Sequence, residues 1–118
     1  MSPEDRIRSF VVTFEFLKTA YELPRELAGK ILKALNLLAK DRMHPSLHLE
    51  NLAGKFVGWQ SIRVDDKYRI LLALDTIPTL IFVGVHDDVY RFAERHAPIR
   101  IVESKLRFAS QVPADAFN

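Results

Sequence analysis

The spacing of the apolar residues changes once along the chain, and this change limits the possible folds more than any other feature. Between Pro24 and Pro45, apolar residues recur every three or four positions, which is typical of an amphipathic helix. After Phe56 the pattern becomes runs of aromatic and β-branched residues broken by polar segments, which is typical of strands. Helices followed by a run of strands predict an α+β fold with an antiparallel sheet.

Two helices are predicted in the N-terminal third. The longer one begins at Pro24, because proline is favoured in the first turn of a helix, and it ends before Pro45. Its expected inward positions are Leu27, Ile31, Ala34, Leu35 and Leu38. A shorter helix precedes it, with Thr13 as its N-cap. The expected apolar stripe of this shorter helix is Phe14, Leu17 and Tyr21.

The strand-like segments have clear boundaries. An edge strand is expected at Ser9–Val12, before the first helix. Three consecutive strands are expected at Phe56–Val64, Tyr68–Leu74 and Thr79–His86. The third is apolar at nearly every position, which is typical of a strand covered on both faces. A short helix should then run to Pro98, with Asp87 or Asp88 as its N-cap.

The first hairpin can be aligned residue by residue. Residues that pair across a sheet share a face, so pairing Ile62 with Ile70 on the core side requires a loop of odd length. The three residues 65–67 meet this requirement, and Arg63 then lies opposite Arg69 on the other face. Two adjacent arginines repel each other unless an anion or a carboxylate lies between them. We therefore expect a binding surface at this hairpin.

Each candidate functional residue has two interpretations from the residues alone. Arg63 and Arg69 could grip a phosphate and stabilise developing negative charge, or they could form salt bridges. The available salt-bridge partners are Asp65, Asp87 and Asp88. His86 stands at a strand end one turn from Tyr90, which resembles a proton-transfer pair, although the residues alone favour a structural histidine. Trp59, on the same face as the arginines, could stack a base or pack in a core.

Composition excludes several classes of site. The 118 residues include no cysteine, so a disulfide framework, a thiolate metal site and a cysteine nucleophile are absent. His44 and His48 are four residues apart, but Pro45 between them prevents the helical face that a zinc site of this spacing needs. No apolar segment approaches the ~18 residues that cross a bilayer, and no signal peptide is visible. We therefore expect a cytoplasmic protein without a membrane partner, a metal or a cofactor.

The positive charge is uneven. The formal net charge is +2, yet residues 91–107 carry five basic residues against two acidic ones. Such an excess suits a polyanion or an acidic partner protein, and it also suits a solvated surface. Arg91 and Arg95 are the candidates for polyanion contacts on the short helix in this segment.

Five short motifs follow the long helix in a fixed order. They are His-Pro-Ser at 44–46, Asn-Leu-x-Gly at 51–54, Trp-Gln-Ser-Ile-Arg-Val at 59–64, Lys-Tyr-Arg-Ile at 67–70 and Val-Gly-x-His-Asp-Asp-x-Tyr at 83–90. In this order they resemble the RelE/ParE toxin superfamily over roughly residues 8 to 96. The resemblance implies a RelE-like toxin domain at 1–96, with 97–118 as a C-terminal extension of that domain or a tail.

The resemblance also implies a fold and an activity. It implies two N-terminal helices packed on a small antiparallel sheet, a short C-terminal helix and a cognate antitoxin as partner. RelE-type members are metal-independent endoribonucleases that cut mRNA, commonly on the ribosome, by attack of the 2′-hydroxyl on its own 3′-phosphate. In this role Arg69 would stabilise the phosphate with help from Arg63, His86 would be the acid or base, and Tyr90 would orient substrate or donate a proton. The RNA-binding residues would be Trp59, Arg91 and Arg95.

The chain also departs from the family pattern. RelE-type nucleases often carry several basic residues on the strand that here contains Gln60, Ser61 and Ile62, and Arg63 alone remains. The acidic pair Asp87 and Asp88 beside His86 repels RNA. Two alternatives to the nuclease therefore remain, a ParE-like toxin that inhibits DNA gyrase and a RelE-like binding module without catalysis.

Overall fold

The computed structural model describes residues 6–52, 58–73, 77–96 and 109–117 of the chain. Within these segments the strands are β1 (Ser9–Thr13), β2 (Glu50–Asn51), β3 (Gln60–Arg63), β4 (Tyr68–Ala73), β5 (Thr79–Val85) and β6 (Ala109–Pro113). The α-helices are α1 (Phe14–Tyr21), α2 (Leu27–Lys40) and α3 (His86–Arg95). Short 3₁₀ turns occupy Pro45–Leu47 and Ala114–Phe117. The predicted α+β class is confirmed.

The six strands form one sheet in the order β2-β3-β4-β5-β1-β6. Neighbouring strands are antiparallel except β1 and β5, which run parallel. The prediction that Ser9–Val12 lies at the sheet edge is wrong, because β6 pairs with β1 along its whole length. Thus β6, which comes from the predicted C-terminal extension, belongs to the same sheet as the rest. The domain boundary at residue 96 stays a prediction.

The helix α1 begins at the predicted cap. The Oγ1 atom of Thr13 accepts a hydrogen bond from the Phe16 N–H at 3.1 Å, and the same hydroxyl donates to the Leu80 carbonyl at 2.8 Å. This second bond fixes the start of the helix against β5 as well as against its own first turn. Thr13 is therefore both an N-cap and a link between the helix and the sheet.

The predicted apolar stripe of α1 is wrong. Phe14, Leu17 and Tyr21 are 60%, 55% and 91% exposed, whereas Phe16 is buried. The rotation of the helix follows from Thr19, whose hydroxyl accepts a hydrogen bond from the Val83 N–H of β5 at 3.1 Å. Because this bond turns the side of α1 that carries Thr19 toward the sheet, the apolar stripe faces solvent.

The longer helix α2 contributes most of the core on its side of the sheet. It begins three residues later than predicted, but all five predicted inward positions are buried. They pack with Phe10, Phe16 and the core-facing residues Ile62, Ile70 and Leu72 of β3 and β4. The periodicity of the sequence therefore gave the correct buried face of this helix.

The opposite face of the sheet is covered by α3, so the sheet lies between two helical layers. A second core forms there from Leu52, Trp59, Leu71, Ala73, Ile81, Val89 and Ala93. Gly84 of β5 allows the Phe82 ring and Asp88 of α3 to approach the strand closely, because a Cβ at this position would lie 3.0 Å from Cε1 of Phe82 and 3.7 Å from Cβ of Asp88. The coverage of both faces explains the nearly continuous apolar sequence of β5.

The predicted N-cap of α3 is wrong. Val85 is the N-cap and makes no side-chain capping bond, and Asp87 and Asp88 already lie in the first turn. The reason is that the helix starts directly from the end of β5, so His86 is its first residue. The two carboxylates still interact favourably with the positive end of the helix dipole.

The predicted hairpin register is confirmed. Ile62 pairs with Ile70, and Arg63 pairs with Arg69 across β3 and β4. The carboxylate of Asp65 closes the turn by accepting the N–H groups of Lys67 and Tyr68, each at 2.8 Å. Burial would raise the pKa of Asp65, but these two bonds and the nearby Lys30 ammonium hold it below its usual value. The starts and ends predicted at Phe56 and Leu74 lie outside the described residues.

Candidate functional site

A cleft of about 360 Å³ opens where the β3–β4 hairpin meets the first residue of α3. Its walls include three of the four predicted catalytic residues, Arg63, Arg69 and His86. They also include His48 and Glu50, which come from the segment between α2 and β3. We call this space the Arg69 cleft. Three separate parts of the chain meet here, and their side chains are strongly polar.

Arg69 is the most firmly held side chain of the Arg69 cleft. The residue is only 8% exposed. Its Nε donates to Oγ of Ser61 at 2.9 Å, and its Nη2 donates to the carbonyl oxygens of His48 at 2.6 Å and of Ser61 at 3.1 Å. Among the described residues, Nη1 has no hydrogen-bond partner. The guanidinium is thus fixed on one side, with one nitrogen left to meet an anion.

The charge of Arg69 is partly balanced inside the cleft. Its Nη2 lies 3.9 Å from Oε1 of Glu50, which is 44% exposed. Burial lowers the pKa of Arg69, while the negative charge of Glu50 opposes this shift. Arginine nevertheless keeps its proton in proteins. A phosphate entering the cleft would therefore meet a fixed cation with a carboxylate beside it.

Glu50 also holds Tyr90. The Tyr90 hydroxyl donates to Oε2 of Glu50 at 2.6 Å. Burial raises the pKa of Tyr90 to about 12, and the hydrogen bond to Glu50 adds to the shift. The phenol is therefore neutral through the physiological range, and its proton is directed at Glu50.

Sequence reasoning missed Glu50 as a site residue. It stands on a strand of two residues, β2, which is too short to produce an alternating pattern. The available signal was its position immediately before the Asn51-Leu52 motif. Its role depends on the pairing of β2 with β3, which places Glu50 opposite Ser61, the anchor of Arg69.

The structure brings His86 and Tyr90 together as predicted. Their ring centroids are 4.3 Å apart, and the rings are tilted by 32°. The His86 side chain is 58% exposed, with Nδ1 at 3.4 Å from Oδ1 of Asp87. An accessible imidazole beside a fixed, neutral phenol can exchange protons with a bound substrate.

Arg63 is more exposed than Arg69, and its partners differ from those expected. Its Nη2 pairs with Oδ1 of Asp66, instead of Asp65, Asp87 or Asp88, and its Nη1 lies 3.3 Å from Nε2 of His48. Asp66 is 94% exposed, so this ion pair is open to water and contributes little to stability. Arg63 can exchange this partner for an incoming anion at low cost.

Three solved structures share this architecture. Across 67% of the chain, the fold matches 93% of YafQ from E. coli strain BL21(DE3), with a TM-score of 0.58 and 12% identity. The E. coli DinJ-YafQ toxin-antitoxin complex matches 71% of the chain at TM-score 0.60 and 13% identity, over 98% of the matched chain. The RelB-RelE antitoxin-toxin complex from Methanococcus jannaschii matches 69% at TM-score 0.56 and 14% identity, over 95% of the matched chain.

The chain has the RelE-like fold. The resemblance predicted from the ordered motifs is thus confirmed at the level of the fold. No protein-family model matches the sequence, and no curated protein matches it either. The likeness to this fold lies in the tertiary structure and in a few short motifs.

Within the RelE-like fold, Trp59 does not lie on an open surface. It is 1% exposed, its indole Nε1 donates to the His96 carbonyl at 2.8 Å, and its ring meets Phe92 edge-on at 6.3 Å. The alternation of the strand placed it on the correct face, but α3 covers that face. The prediction that Trp59 stacks a base conflicts with this burial, and its contacts make it a core residue.

The two arginines of α3 lie apart from the Arg69 cleft. Arg91 and Arg95 line a separate cleft of about 200 Å³ beside Phe82. Arg91 forms an exposed ion pair with Asp88 at 3.2 Å, one turn earlier on the helix. Both side chains are accessible to RNA, and their contact with it stays a prediction.

Two further properties concern the described segments as a whole. No group of three or more His, Asp or Glu side chains there has an arrangement that could hold a metal ion. None of the helices in those segments is both long enough and apolar enough to cross a membrane.

The Glu50–Tyr90 hydrogen bond can be tested by titrating the tyrosines. We expect one of the three tyrosines to ionise only at about pH 12 in a spectrophotometric titration. Tyr90→Phe should remove this late step, whereas Tyr21→Phe, which changes a 91% exposed ring, should keep it. Glu50→Gln should move the step toward the ordinary value of about 10, because it removes the negative charge that opposes ionisation. A late step that persists in Tyr90→Phe would contradict the assignment.

The same shift sets the sign of a pH effect on stability. Because the pKa of Tyr90 is raised in the folded protein, its contribution to folding is fully present below the unfolded value of about 10. That contribution decreases as the pH rises toward about 12. As the pH rises through this interval, the free energy of unfolding should therefore decrease less for Tyr90→Phe than for the unmodified protein.

Proposed function

We propose that this protein is the toxin component of a type II toxin-antitoxin system and that it acts in the cytoplasm as a metal-independent endoribonuclease that cleaves mRNA. The observation that carries the proposal is the meeting of Arg63, Arg69, His86 and Glu50-bound Tyr90 around one cleft. Two structures with this fold are toxin-antitoxin complexes. A cognate antitoxin is accordingly the proposed protein partner, and the ribosome is the proposed place of mRNA cleavage.

The proposed reaction needs no group beyond the RNA and the side chains of the cleft. The 2′-hydroxyl oxygen attacks the adjacent phosphorus, the bond from phosphorus to the 5′-oxygen breaks, and a 2′,3′-cyclic phosphate and a 5′-hydroxyl result. One proton leaves the 2′-hydroxyl and one reaches the leaving 5′-oxygen. Arg69, assisted by Arg63, would stabilise the charge that develops on the phosphoryl oxygens.

The remaining side chains have complementary roles in this proposal. His86 is exposed and would act as the acid or the base. Tyr90 is neutral and would orient the substrate or donate a proton, and Glu50 is the positioning residue that fixes the phenol. The Nη1 atom of Arg69 would contact the phosphate, since Nε and Nη2 are already bonded within the protein.

A binding module without catalysis is the alternative, and one observation favours it. The hydrogen bonds of Arg69 serve the fold, and Arg63 is paired with Asp66, so both cations already have partners within the protein. A ParE-like inhibitor of gyrase is the third possibility. The two toxins and the inactive module differ in what they do to a growing cell.

Expression of the protein alone in bacteria tests the proposal. We expect slowed growth, rapid loss of protein synthesis and cut transcripts, with relief by an antitoxin encoded next to the gene. The Arg69→Ala variant serves as the matched control, because it should cut transcripts far more slowly and therefore slow growth less. A DNA-damage response with intact transcripts would identify a gyrase inhibitor. Normal growth with abundant folded protein would contradict a toxin of either kind.

A further inference from the structure

The Arg69 cleft continues into a second cleft on the side of α2. This second space, of about 390 Å³, is lined by Lys30 and Lys33 of α2 and is called the α2 cleft below. His48, Arg63 and Asp65 line both clefts. Since the two spaces share these walls, they are adjacent on the surface, and the two together are called the groove below.

The groove is basic along its length. Its walls carry five Lys and Arg side chains against three carboxylates. Each carboxylate already has a partner: Glu50 binds Tyr90, Asp65 closes the hairpin turn, and Asp66 pairs with Arg63. The cations outnumber the carboxylates, so the field that an approaching polyanion would meet is positive.

The two lysines of α2 are available for an external ligand. They stand three residues apart, so they lie on neighbouring positions of one helical face. The Lys30 ammonium lies 3.5 Å from Oδ2 of Asp65 and its side chain is 56% exposed, which makes this a weak ion pair. Lys33 is exposed and forms no ion pair among the described residues.

The floor of the α2 cleft is apolar between these charges. Leu37 and Val64 are half-buried there, beside Ala34 and Leu47. A groove with cations on its rim and apolar side chains beneath suits a single strand of nucleic acid, whose phosphates and base faces require these two kinds of contact. A compact anion such as free phosphate would use only the rim.

We propose that the α2 cleft binds the single-stranded RNA that flanks the scissile phosphate, with Lys30 and Lys33 contacting neighbouring phosphates. This inference rests on the proposed function, because it takes the Arg69 cleft as the place of cleavage. It adds basic residues on α2 to the one basic residue of β3, Arg63. The lysines are binding residues and take no part in the chemistry.

Binding to a non-cleavable RNA tests the inference separately from catalysis. The probe is a fluorescently labelled hexanucleotide with 2′-O-methyl groups, which lacks the attacking hydroxyl, and anisotropy is measured over a range of salt concentrations. In Lys30→Gln/Lys33→Gln the slope of log affinity against log salt should fall by about 1.4, since each lost phosphate contact on a single strand contributes about 0.7. Affinity at low salt should fall about tenfold or more.

Two controls make the result specific. Lys18→Gln/Arg25→Gln removes the same net charge from exposed residues that line neither cleft, and it should keep the original slope. A dinucleotide probe, which reaches little beyond the Arg69 cleft, should bind both double variants alike.

Three outcomes would overturn the inference. One is an unchanged slope in Lys30→Gln/Lys33→Gln, and another is no binding of the hexanucleotide by the unmodified protein. The third is that a polyglutamate peptide binds as tightly as the hexanucleotide and loses the same affinity in Lys30→Gln/Lys33→Gln. The groove would then recognise an acidic protein. If the variant binds normally while the unmodified protein still cuts RNA, the inference fails and the proposed function stands.

Discussion

Replacing Arg69 with alanine should slow RNA cleavage about a hundredfold, the effect typical of losing one electrostatic contact to the transition state. The loss should appear in single-turnover cleavage, because the developing charge on the phosphate depends on this guanidinium. The residue is held by Ser61 and His48, so the remaining protein cannot supply a replacement cation at the same place. Arg63, which is more exposed, should give a smaller effect.

The same substitution should also lower the stability of the fold. Alanine leaves the Ser61 hydroxyl and the His48 carbonyl without the donor that Arg69 supplies. Leaving buried polar groups unpaired costs about 1–3 kcal/mol. Thermal melts must therefore accompany the rates, and cleavage must be compared at temperatures where both proteins are folded.

Ser61→Ala is the matched control for this effect. It removes the acceptor for Nε and leaves the guanidinium in the cleft, so stability should fall while most of the cleavage rate remains. If folded Arg69→Ala cleaves RNA at the rate of the unmodified protein, Arg69 has no part in the mechanism. The residue would then have a structural role alone.

Replacing His86 with alanine should slow cleavage by a factor on the order of 100 to 10,000, as expected for a general acid or base. The side chain is 58% exposed, so the melting temperature should change little. His44→Ala is the matched control, since this histidine lies outside the Arg69 cleft and should leave the cleavage rate intact. A lowered melting temperature with unchanged cleavage would show that His86 is structural.

The parts of the fold predicted correctly are those with a local pattern. The helical spacing from Leu27 to Leu38 identified the buried face of α2, and the odd length of the 65–67 turn identified the pairing of Arg63 with Arg69. Both follow from geometry within a short segment. Neither depends on knowing which element covers the other side.

The errors have a common physical cause, which is contact between distant segments. Trp59 was placed on the correct face of its strand, but α3 covers that face and buries the ring. The stripe of Phe14, Leu17 and Tyr21 has helical spacing, yet the bond between Thr19 and Val83 sets the rotation of α1. Tertiary contacts override local pattern at these positions.

In the candidate site, too, the sequence indicated residues in local motifs and missed the contacts between distant segments. The sequence indicated Arg63, Arg69, His86 and Tyr90, because they stand at strand ends and in recognisable motifs. It did not indicate Glu50, which reaches Tyr90 across 40 residues of sequence. Nor did it indicate that Arg69 is anchored to backbone carbonyls, since such bonds leave no trace in composition or spacing.

Cleavage of single-stranded RNA by the purified protein in the presence of EDTA tests the central claim most directly. The proposed mechanism predicts cut RNA that ends in a 2′,3′-cyclic phosphate or a 3′-phosphate, at the same rate with and without the chelator. RNA that stays intact, or cleavage that EDTA abolishes and a divalent cation restores, would contradict it.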